Sequence, residues 1–320
     1  MRKLRLFILM PILLASCNIK GGNKYADYEK WVYLSPTGAP AIAMSYFSGF
    51  ENFQTNSDPS NIVAMMKAGK GDLVVLPTNV GIQAIRQGNL PYKLYATLTH
   101  GNVYVASTGN DADGVMDEND YIVSFQKGAV PDKIFNYVYG NSLDNALHYV
   151  SNAQEAAKCL KTGKNLADDK KSVDYVVLAE PALTSVLETT ENAQEYADLQ
   201  ELYKVKSGGL GIYQAALFIK DGLDQRTLME SVLGNLELSL EKMNRDPNKV
   251  VEYMNLNSNP ELTFGVKPEI AKKMFENGNR MNIDCKYLTW KEGEPNENVQ
   301  GINIFLSLFG LEGISEDETI

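Results

Sequence analysis

Short hydrophobic runs recur four times along the chain, and each leads into a loop that contains proline and then into a helical pattern. The runs are Trp31–Leu34, Leu73–Leu76, Tyr121–Phe125 and Tyr175–Leu178. Near-continuous apolar runs of this length are typical of parallel strands that are buried on both faces. Beyond the loops, apolar residues recur at spacings of three and four, which is typical of helices packed on a sheet. The pattern predicts an α/β protein.

Two pairs of consecutive strand-like segments interrupt this alternation. The first pair is Leu94–Thr99 and Val103–Ser107, and the second is Leu199–Val205 and Tyr213–Ile219. After Asp221 the pattern is helical, so we expect the chain to return to the lobe in which it began. We therefore predict a clamshell of two lobes, with two hinge crossings at the second member of each pair.

The predicted division of the chain follows from these crossings. Residues 25–102 and 215–320 form lobe I, which is discontinuous, and residues 103–214 form lobe II. The tail from Gly310 is acidic, and we expect it to be loose because few of its residues can be buried.

The first seventeen residues have the features of a bacterial lipoprotein leader. Three basic residues precede an apolar stretch over residues 6–14, which is too short to span a bilayer and is typical of a signal peptide. The stretch ends in Leu14–Cys17, which resembles a lipobox. We predict that residues 1–17 are the leader, that Cys17 is lipidated and that residues 18–24 form a tether. The chain would then be exported and anchored to the outer face of the cell membrane, or to the periplasmic side.

Charge and composition exclude some classes of partner and site. The chain has 30 basic and 40 acidic residues, a net charge of −10, whereas nucleic-acid binding requires clustered Lys and Arg. Besides Cys17, only Cys159 and Cys285 are present, and they fall in different predicted lobes, so we expect no disulfide. His100 and His148 are the only histidines. Because a metal site needs several convergent ligands, we predict neither metal nor cofactor.

Four segments carry a resemblance to a known family. Ser35–Pro40 and Gly71–Asn79 resemble the first-lobe pattern of the NMT1/THI5-like solute-binding proteins, and Gly128–Asp132 and Tyr175–Ala182 resemble their second-lobe loops. The resemblance covers the chain to about residue 220. It implies a periplasmic-binding-protein fold that closes on a small solute, a monomer, and an ABC permease and ATPase as partners. Members of the family serve importers for pyrimidine thiamin precursors, sulfonates and nitrate.

The predicted binding site lies where the strands meet the proline-bearing loops. Ligands of open α/β sheets bind beyond the carboxyl ends of the strands, where helix starts expose N–H groups. The predicted ligand-binding residues lie in these loops and near the crossings: Thr37, Gly38, Ala39, Thr78, Asn79, Thr99, Gly128, Ala129, Val130, Glu180, Tyr213 and Gln214.

Glu180 suggests the charge of the solute. It follows an apolar run and precedes Pro181, so we expect its carboxylate to point into the cleft and to favour an amino-bearing, aminopyrimidine-like solute. The alternative is that Glu180 caps the following helix or is a solvated carboxylate. The four loops contain no arginine, which an anion site usually recruits; Lys127 is the one candidate cation, and a solvated lysine is the simpler interpretation.

Two other function classes stay open. Eukaryotic pyrimidine-precursor synthases of the same family use a histidine and a cysteine-rich segment with iron, but this chain has no cysteine cluster. We therefore predict a binding protein and not an enzyme, with His100 in a binding or structural role. A lipid-anchored sensor or adhesion protein without a transporter has the same sequence features.

Overall fold

Two mixed β-sheets and the helices that flank them make up the described part of the protein. The computed structural model describes residues 27–168 and 171–320. The predicted leader, with Cys17, and the tether lie outside these residues.

The strands and helices are numbered in chain order. The strands are β1 (Tyr33–Pro36), β2 (Phe53–Asn56), β3 (Leu73–Pro77), β4 (Tyr92–Thr99), β5 (Val103–Ser107), β6 (Ile122–Phe125), β7 (Leu147–Val150), β8 (Lys164–Asn165), β9 (Lys171–Ser172), β10 (Tyr175–Ala179), β11 (Gln194–Asp198), β12 (Ala215–Lys220), β13 (Ile283–Tyr287), β14 (Trp290–Lys291) and β15 (Glu294–Pro295). The helices are α1 (Ala39–Ala43), α2 (Pro59–Lys67), α3 (Thr78–Gly88), α4 (Val130–Tyr139), α5 (Ala153–Thr162), α6 (Ala182–Leu187), α7 (Leu199–Lys206), α8 (Gln225–Thr227), α9 (Gly234–Arg245), α10 (Asn248–Met254), α11 (Pro260–Phe264), α12 (Pro268–Glu276) and α13 (Glu297–Ser307). A π-helical segment, Leu228–Leu233, joins α8 to α9.

The six strands of the first sheet lie in the order β13-β4-β12-β3-β1-β2, and the five of the second in the order β11-β5-β10-β6-β7. In the first sheet β1, β2 and β3 are parallel, and β12 runs against both β3 and β4. In the second sheet β6, β7 and β10 are parallel, and β5 runs against β10. The mixed order arises because strands next to the crossings run opposite to their neighbours. The predicted α/β clamshell is confirmed.

Burial on both faces explains why the hydrophobic runs became central strands. In β3, Leu73 and Val75 join one apolar cluster, and Val74 and Leu76 join the cluster on the opposite face. Successive side chains of a strand point to opposite faces, so a continuous apolar run fills both layers. The second sheet has two clusters of its own, one on each face.

Two segments carry the chain between the sheets, and one helix packs against both. The residues His100–Asn102 join β4 to β5, and residues 207–214 join α7 to β12. In α13, Val299 and Ile302 pack in a cluster of the first sheet, whereas Phe305 belongs to a cluster of the second. The exact lobe boundaries, 102/103 and 214/215, stay a prediction.

One segment differs in secondary structure from the sequence prediction. The segment Leu199–Val205, predicted as a strand, lies in helix α7, and the strand is β11, immediately before it. The side chain of Asp198 accepts hydrogen bonds from the backbone N–H groups of Gln200 and Glu201, which starts the helix. Leu199 and Tyr203, four residues apart, are both buried on one helical face.

The acidic tail is packed and not loose. Arg86 donates from Nε and Nη2 to the two carboxylate oxygens of Glu318, at 2.7 and 2.8 Å. Ile314 is buried, and the backbone N–H of Ile320 donates to the carbonyl of Leu94. Long-range pairing of the acidic residues therefore holds the tail on the first sheet. In the described ranges, no helix is both long and apolar enough to cross a membrane.

Candidate functional site

The carboxyl ends of the strands in the two sheets face each other across a cleft. Strands β1, β3 and β4 end at one edge of the first sheet, and β12, which is antiparallel to β3 and β4, begins there. Strands β6, β7 and β10 end at one edge of the second sheet, where β5 begins. Because His100–Asn102 joins the end of β4 directly to the start of β5, the two edges lie opposite each other.

The predicted residues Asn79, Thr99 and Gln214 lie on the first edge. The N–H of Thr78 donates to the carbonyl of Gln214, and the N–H of Gln214 donates to the carbonyl of Thr99, both at 3.0 Å. Asn79 Oδ1, Thr99 Oγ1 and Gln214 Oε1 are buried and have no hydrogen-bond partner among the described residues. Amide oxygens accept hydrogen bonds, amide NH2 groups donate them and a threonine hydroxyl does both, so this edge can pair with donors and with acceptors on a ligand.

Two other predicted residues on this edge have structural contacts. The Thr78 hydroxyl donates to the carbonyl of Tyr213 at 2.7 Å. The Tyr213 ring is buried against α13, and its hydroxyl donates to Asn298 Oδ1 at 3.1 Å. A methyl group at Gly301 would lie 2.2 Å from this ring, so the glycine permits the close approach. The side chains of Thr78 and Tyr213 therefore hold the return crossing in place.

In the β1 loop and the β6 loop, the N–H groups of the two predicted glycines are bonded within the protein. Gly38 has φ of 88°, which favours glycine, and its N–H donates to the carbonyl of Phe264. Thr37 and Gly38 are partly exposed, whereas Ala39 is buried at the start of α1. Gly128, with φ of 82°, is exposed, and its N–H donates to Asp132 at 2.7 Å.

The same β6 loop continues into helix α4. Ala129 and Val130 are partly exposed, and Val130 is the first residue of α4. They lie at the carboxyl end of β6, on the second edge of the cleft. The Asp132 carboxylate also accepts a hydrogen bond from the hydroxyl of Tyr149, so the loop is tied to the strand beside it.

Glu180 is buried in an ion pair and does not face an open cleft. Its carboxylate accepts hydrogen bonds from the backbone N–H and the hydroxyl of Thr184, at 2.9 and 2.8 Å, and from Nε of Arg280 at 2.6 Å. The side chain is completely buried. The carboxylate therefore bonds to Thr184 in the first turn of α6, whose N-cap is Pro181, and the expectation of a free carboxylate is wrong because Arg280 neutralises it.

Arg280 is the functional residue that the sequence did not indicate. It lies between α12 and β13, outside all four loops, and 100 residues from Glu180. Its Nη2 lies 2.6 Å from Glu195 Oε2, and its guanidinium lies over the ring of Tyr104, 4.3 Å from the centroid. Burial lowers the pKa of Arg280, but its bonds to Glu180 and Glu195 outweigh that effect and raise it, so the guanidinium stays charged.

His100 is a structural residue of the first crossing. Its Nε2 lies 2.9 Å from Thr97 Oγ1, and its Nδ1 lies 3.1 Å from the carbonyl oxygen of Asn282. Burial, assisted by the charge of Lys286, lowers the pKa of His100 from 6.5 to about 3. The imidazole is therefore neutral in the folded protein at ordinary pH.

This burial predicts a pH-dependent stability. As the pH falls below about 6.5, the unfolded chain protonates His100 and the folded chain does not, so the free energy of unfolding falls until the pH approaches 3. Between pH 7 and pH 6 we expect His100 to account for a loss of about 0.7 kcal/mol. Chemical denaturation of the wild type and of His100→Gln at both pH values measures this, and an equal change in the two proteins would contradict it.

Other sites on the described chain lie outside the cleft. No group of three or more His, Cys, Asp or Glu side chains in residues 27–168 and 171–320 could hold a metal ion, and Cys159 and Cys285 are free thiols. A pocket of about 650 Å³ lies between α9, β13 and His100. It has no wall from the second sheet or from the four loops, so it is separate from the interlobe site.

Comparisons with known proteins show the fold. No protein-family model and no curated protein sequence matches the chain. An ABC transporter protein from Parabacteroides distasonis matches with a TM-score of 0.62 and 20% identity, over 87% of this chain and 91% of that one. The periplasmic aliphatic sulphonate binding protein of Escherichia coli matches with a TM-score of 0.56 and 11% identity, over 88% and 86%. A Candida albicans protein described as having the generic periplasmic binding protein fold matches with a TM-score of 0.52 and 11% identity, over 90% and 92%.

The topology agrees with these likenesses. The two α/β sheets of this chain, joined by two crossing segments, fit the generic periplasmic binding protein fold named for the Candida protein. The narrower NMT1/THI5-like resemblance stays a prediction. The chain has the periplasmic-binding-protein fold.

Proposed function

We propose that this chain is the extracytoplasmic, lipid-anchored solute-binding component of an ABC-type importer. It binds a small solute between the two sheets, releases it chemically unchanged and delivers it to a permease driven by an ATPase. The observation that carries the proposal is the buried row of unpaired oxygens, Asn79 Oδ1, Thr99 Oγ1 and Gln214 Oε1, at the edge that faces the second sheet. Buried polar atoms are nearly always hydrogen-bonded, so an unpaired row in a cleft is suited to a ligand.

Export and anchoring rest on the leader. A lipidated Cys17 and the tether of residues 18–24 would hold a monomer at the outer face of the cell membrane or on the periplasmic side. Each buried methylene of an acyl chain contributes roughly 0.8 kcal/mol to membrane binding, so several chains on one residue anchor stably. The Parabacteroides protein, described as an ABC transporter, supports the choice of transport over a stand-alone sensor.

The acceptor row also supports a class of solute. The amide oxygens of Asn79 and Gln214 require N–H or O–H donors on the ligand, and their NH2 groups require acceptors, both of which an aminopyrimidine carries. Arg280 beside the cleft already faces the carboxylates of Glu180 and Glu195, so it is poorly suited to bind an anion. A neutral or cationic nitrogenous solute, such as an aminopyrimidine, therefore suits the cleft better than a sulfonate. The amide groups of Asn79 and Gln214, and not the paired carboxylate of Glu180, support this class of solute.

His100 does not support the enzyme alternative. Both ring nitrogens of His100 are engaged, by Thr97 and by Asn282, so the residue supports the crossing and is not placed as an iron ligand. The sensor or adhesion alternative predicts the same cleft and differs only in its partners.

Substitutions on the acceptor row test the site. Asn79→Ala and Gln214→Ala should each weaken solute binding by about 0.5–1.5 kcal/mol, the usual contribution of a neutral hydrogen bond. The solute is obtained by extraction from protein purified from its host, and titration calorimetry measures the affinities.

Gln87→Ala is the matched control, because Gln87 is an exposed amide on the same helix, two turns beyond Asn79. Its affinity should equal that of the wild type. Unchanged affinity in both row variants would remove the interlobe site from the proposal.

A further inference from the structure

Arg280 connects the two sheets. The residue belongs to the segment 277–282 that leads into β13 of the first sheet, but every group its guanidinium meets belongs to the second sheet. Glu180 follows β10, Tyr104 lies in β5 and Glu195 lies in β11. The contact therefore spans the cleft at the side where the sheets end in β13 and β11.

The backbone of this segment is fixed to the second sheet and to the crossing as well. The hydroxyl of Tyr104 donates to the carbonyl of Arg280 at 2.9 Å. Two residues on, Asn282 Nδ2 donates to the carbonyl of Gly101 at 2.8 Å, and the Asn282 carbonyl accepts from the N–H of His100. Hydrogen bonds of the backbone near Arg280 and of its guanidinium therefore both fix the position of the side chain.

Burial makes this contact different from the surface pairs of the protein. The side chain of Glu180 has no exposed surface, and that of Arg280 is 19% exposed. Lys273 and Glu188 form a second pair between α12 and the end of α6, but these side chains are 51% and 31% exposed. Exposed ion pairs contribute little to stability, whereas removing one partner of a buried ion pair destabilises the protein strongly.

We infer that Arg280 is a clasp that keeps the two lobes together when no solute is bound, and that the lobes part only when it leaves Glu180 and Glu195. The inference rests on the proposed function, because it concerns access to the same cleft. Solute entry and release then depend on breaking a buried ion pair, so the clasp sets how often the cleft opens. Clamshell proteins of this type move as rigid lobes about a few connecting residues, and a charged contact at one side restrains that motion.

The test measures the distance between the lobes without solute. Spin labels are placed at Lys127→Cys and Glu261→Cys, two exposed positions in the loop after β6 and in α11, in a Cys285→Ser background. The full chain is unfolded in denaturant, dialysed free of bound molecules and refolded, and pulsed electron resonance gives the distance distribution. We expect one narrow distribution in the parent protein.

Variants separate a clasp from a contact that merely stabilises the fold. Glu180→Gln keeps the shape and one acceptor oxygen for the Thr184 N–H but removes the charge, and Arg280→Met removes the guanidinium; both should broaden the distribution toward longer distances. Arg280→Lys, which keeps the charge, should restore part of the narrow distribution, and the Lys273→Met control should leave it unchanged. Circular dichroism confirms that each variant is folded.

Two results would overturn the clasp. One is a broad distribution in the solute-free parent protein. The other is a narrow distribution in folded Glu180→Gln and Arg280→Met, which would mean that Arg280 sits at a pivot that opening does not disturb. Because no solute is used, either failure leaves the proposed binding function standing, whereas unchanged solute affinity in the row variants with an intact clasp would refute the binding site alone.

Discussion

Replacing Arg280 by methionine should lower the free energy of unfolding by about 3–5 kcal/mol, because it leaves a buried carboxylate without its counter-charge. Glu180 keeps only its two bonds from Thr184 in this variant, and these do not neutralise it. Glu180→Gln in the same background should recover most of the loss, since it removes the unpaired charge and its amide oxygen can still accept from the Thr184 N–H. Denaturant titration of the four proteins forms a double-mutant cycle.

Lys273→Met is the control for this cycle. Its pair with Glu188 is partly solvated, so the loss should stay within about 1 kcal/mol. If Arg280→Met also costs less than about 1 kcal/mol, the pair with Glu180 does not stabilise the fold as described.

Gly81→Ala should lower the free energy of unfolding by about 1–3 kcal/mol, although alanine is the better helix former. A methyl group at position 81 would lie 2.2 Å from ring atoms of Phe218, which is completely buried in β12. Close packing of α3 on β12 also seats Asn79 next to Gln214 at the sheet edge. The variant should therefore weaken solute binding as well.

Gly234→Ala is the matched substitution in another helix. At Gly234 the nearest atom to an added methyl group is 3.7 Å away, so the change should stabilise the protein by up to about 1 kcal/mol. Thermal and chemical denaturation compare the two. Equal effects of the same sign would contradict the tight approach of α3 to Phe218.

Local patterns made much of the fold predictable. Runs such as Leu73–Leu76 are apolar on both faces, and a strand of that kind can only be central. The order of strand and helix then places the loops after β1, β3, β6 and β10 at the carboxyl edges. The segment after Asp198 was ambiguous, because Leu199, Leu202 and Tyr203 fit a helix as well as a strand, and the capping aspartate decided for the helix.

Contacts between distant residues were not predictable from local pattern. Glu180 and Arg280 are 100 residues apart, and Arg86 and Glu318 are 232 apart, so no spacing rule relates them. The direction of the Tyr213 side chain was not predictable from the sequence either. Its ring packs in the core because Gly301 leaves room for it. The positions of the site loops followed from the sequence, but which of their side chains remain unpaired depends on tertiary packing.

Native mass spectrometry of the chain purified from its host tests whether one unaltered solute is bound reversibly between the lobes. We expect one small nitrogenous molecule per chain, recovered after prolonged incubation with unchanged mass and chromatographic retention, and absent or much reduced in the Asn79→Ala/Gln214→Ala double variant. If the molecule is converted during incubation, or if the double variant retains it fully, the protein is not a solute-binding protein with the proposed site.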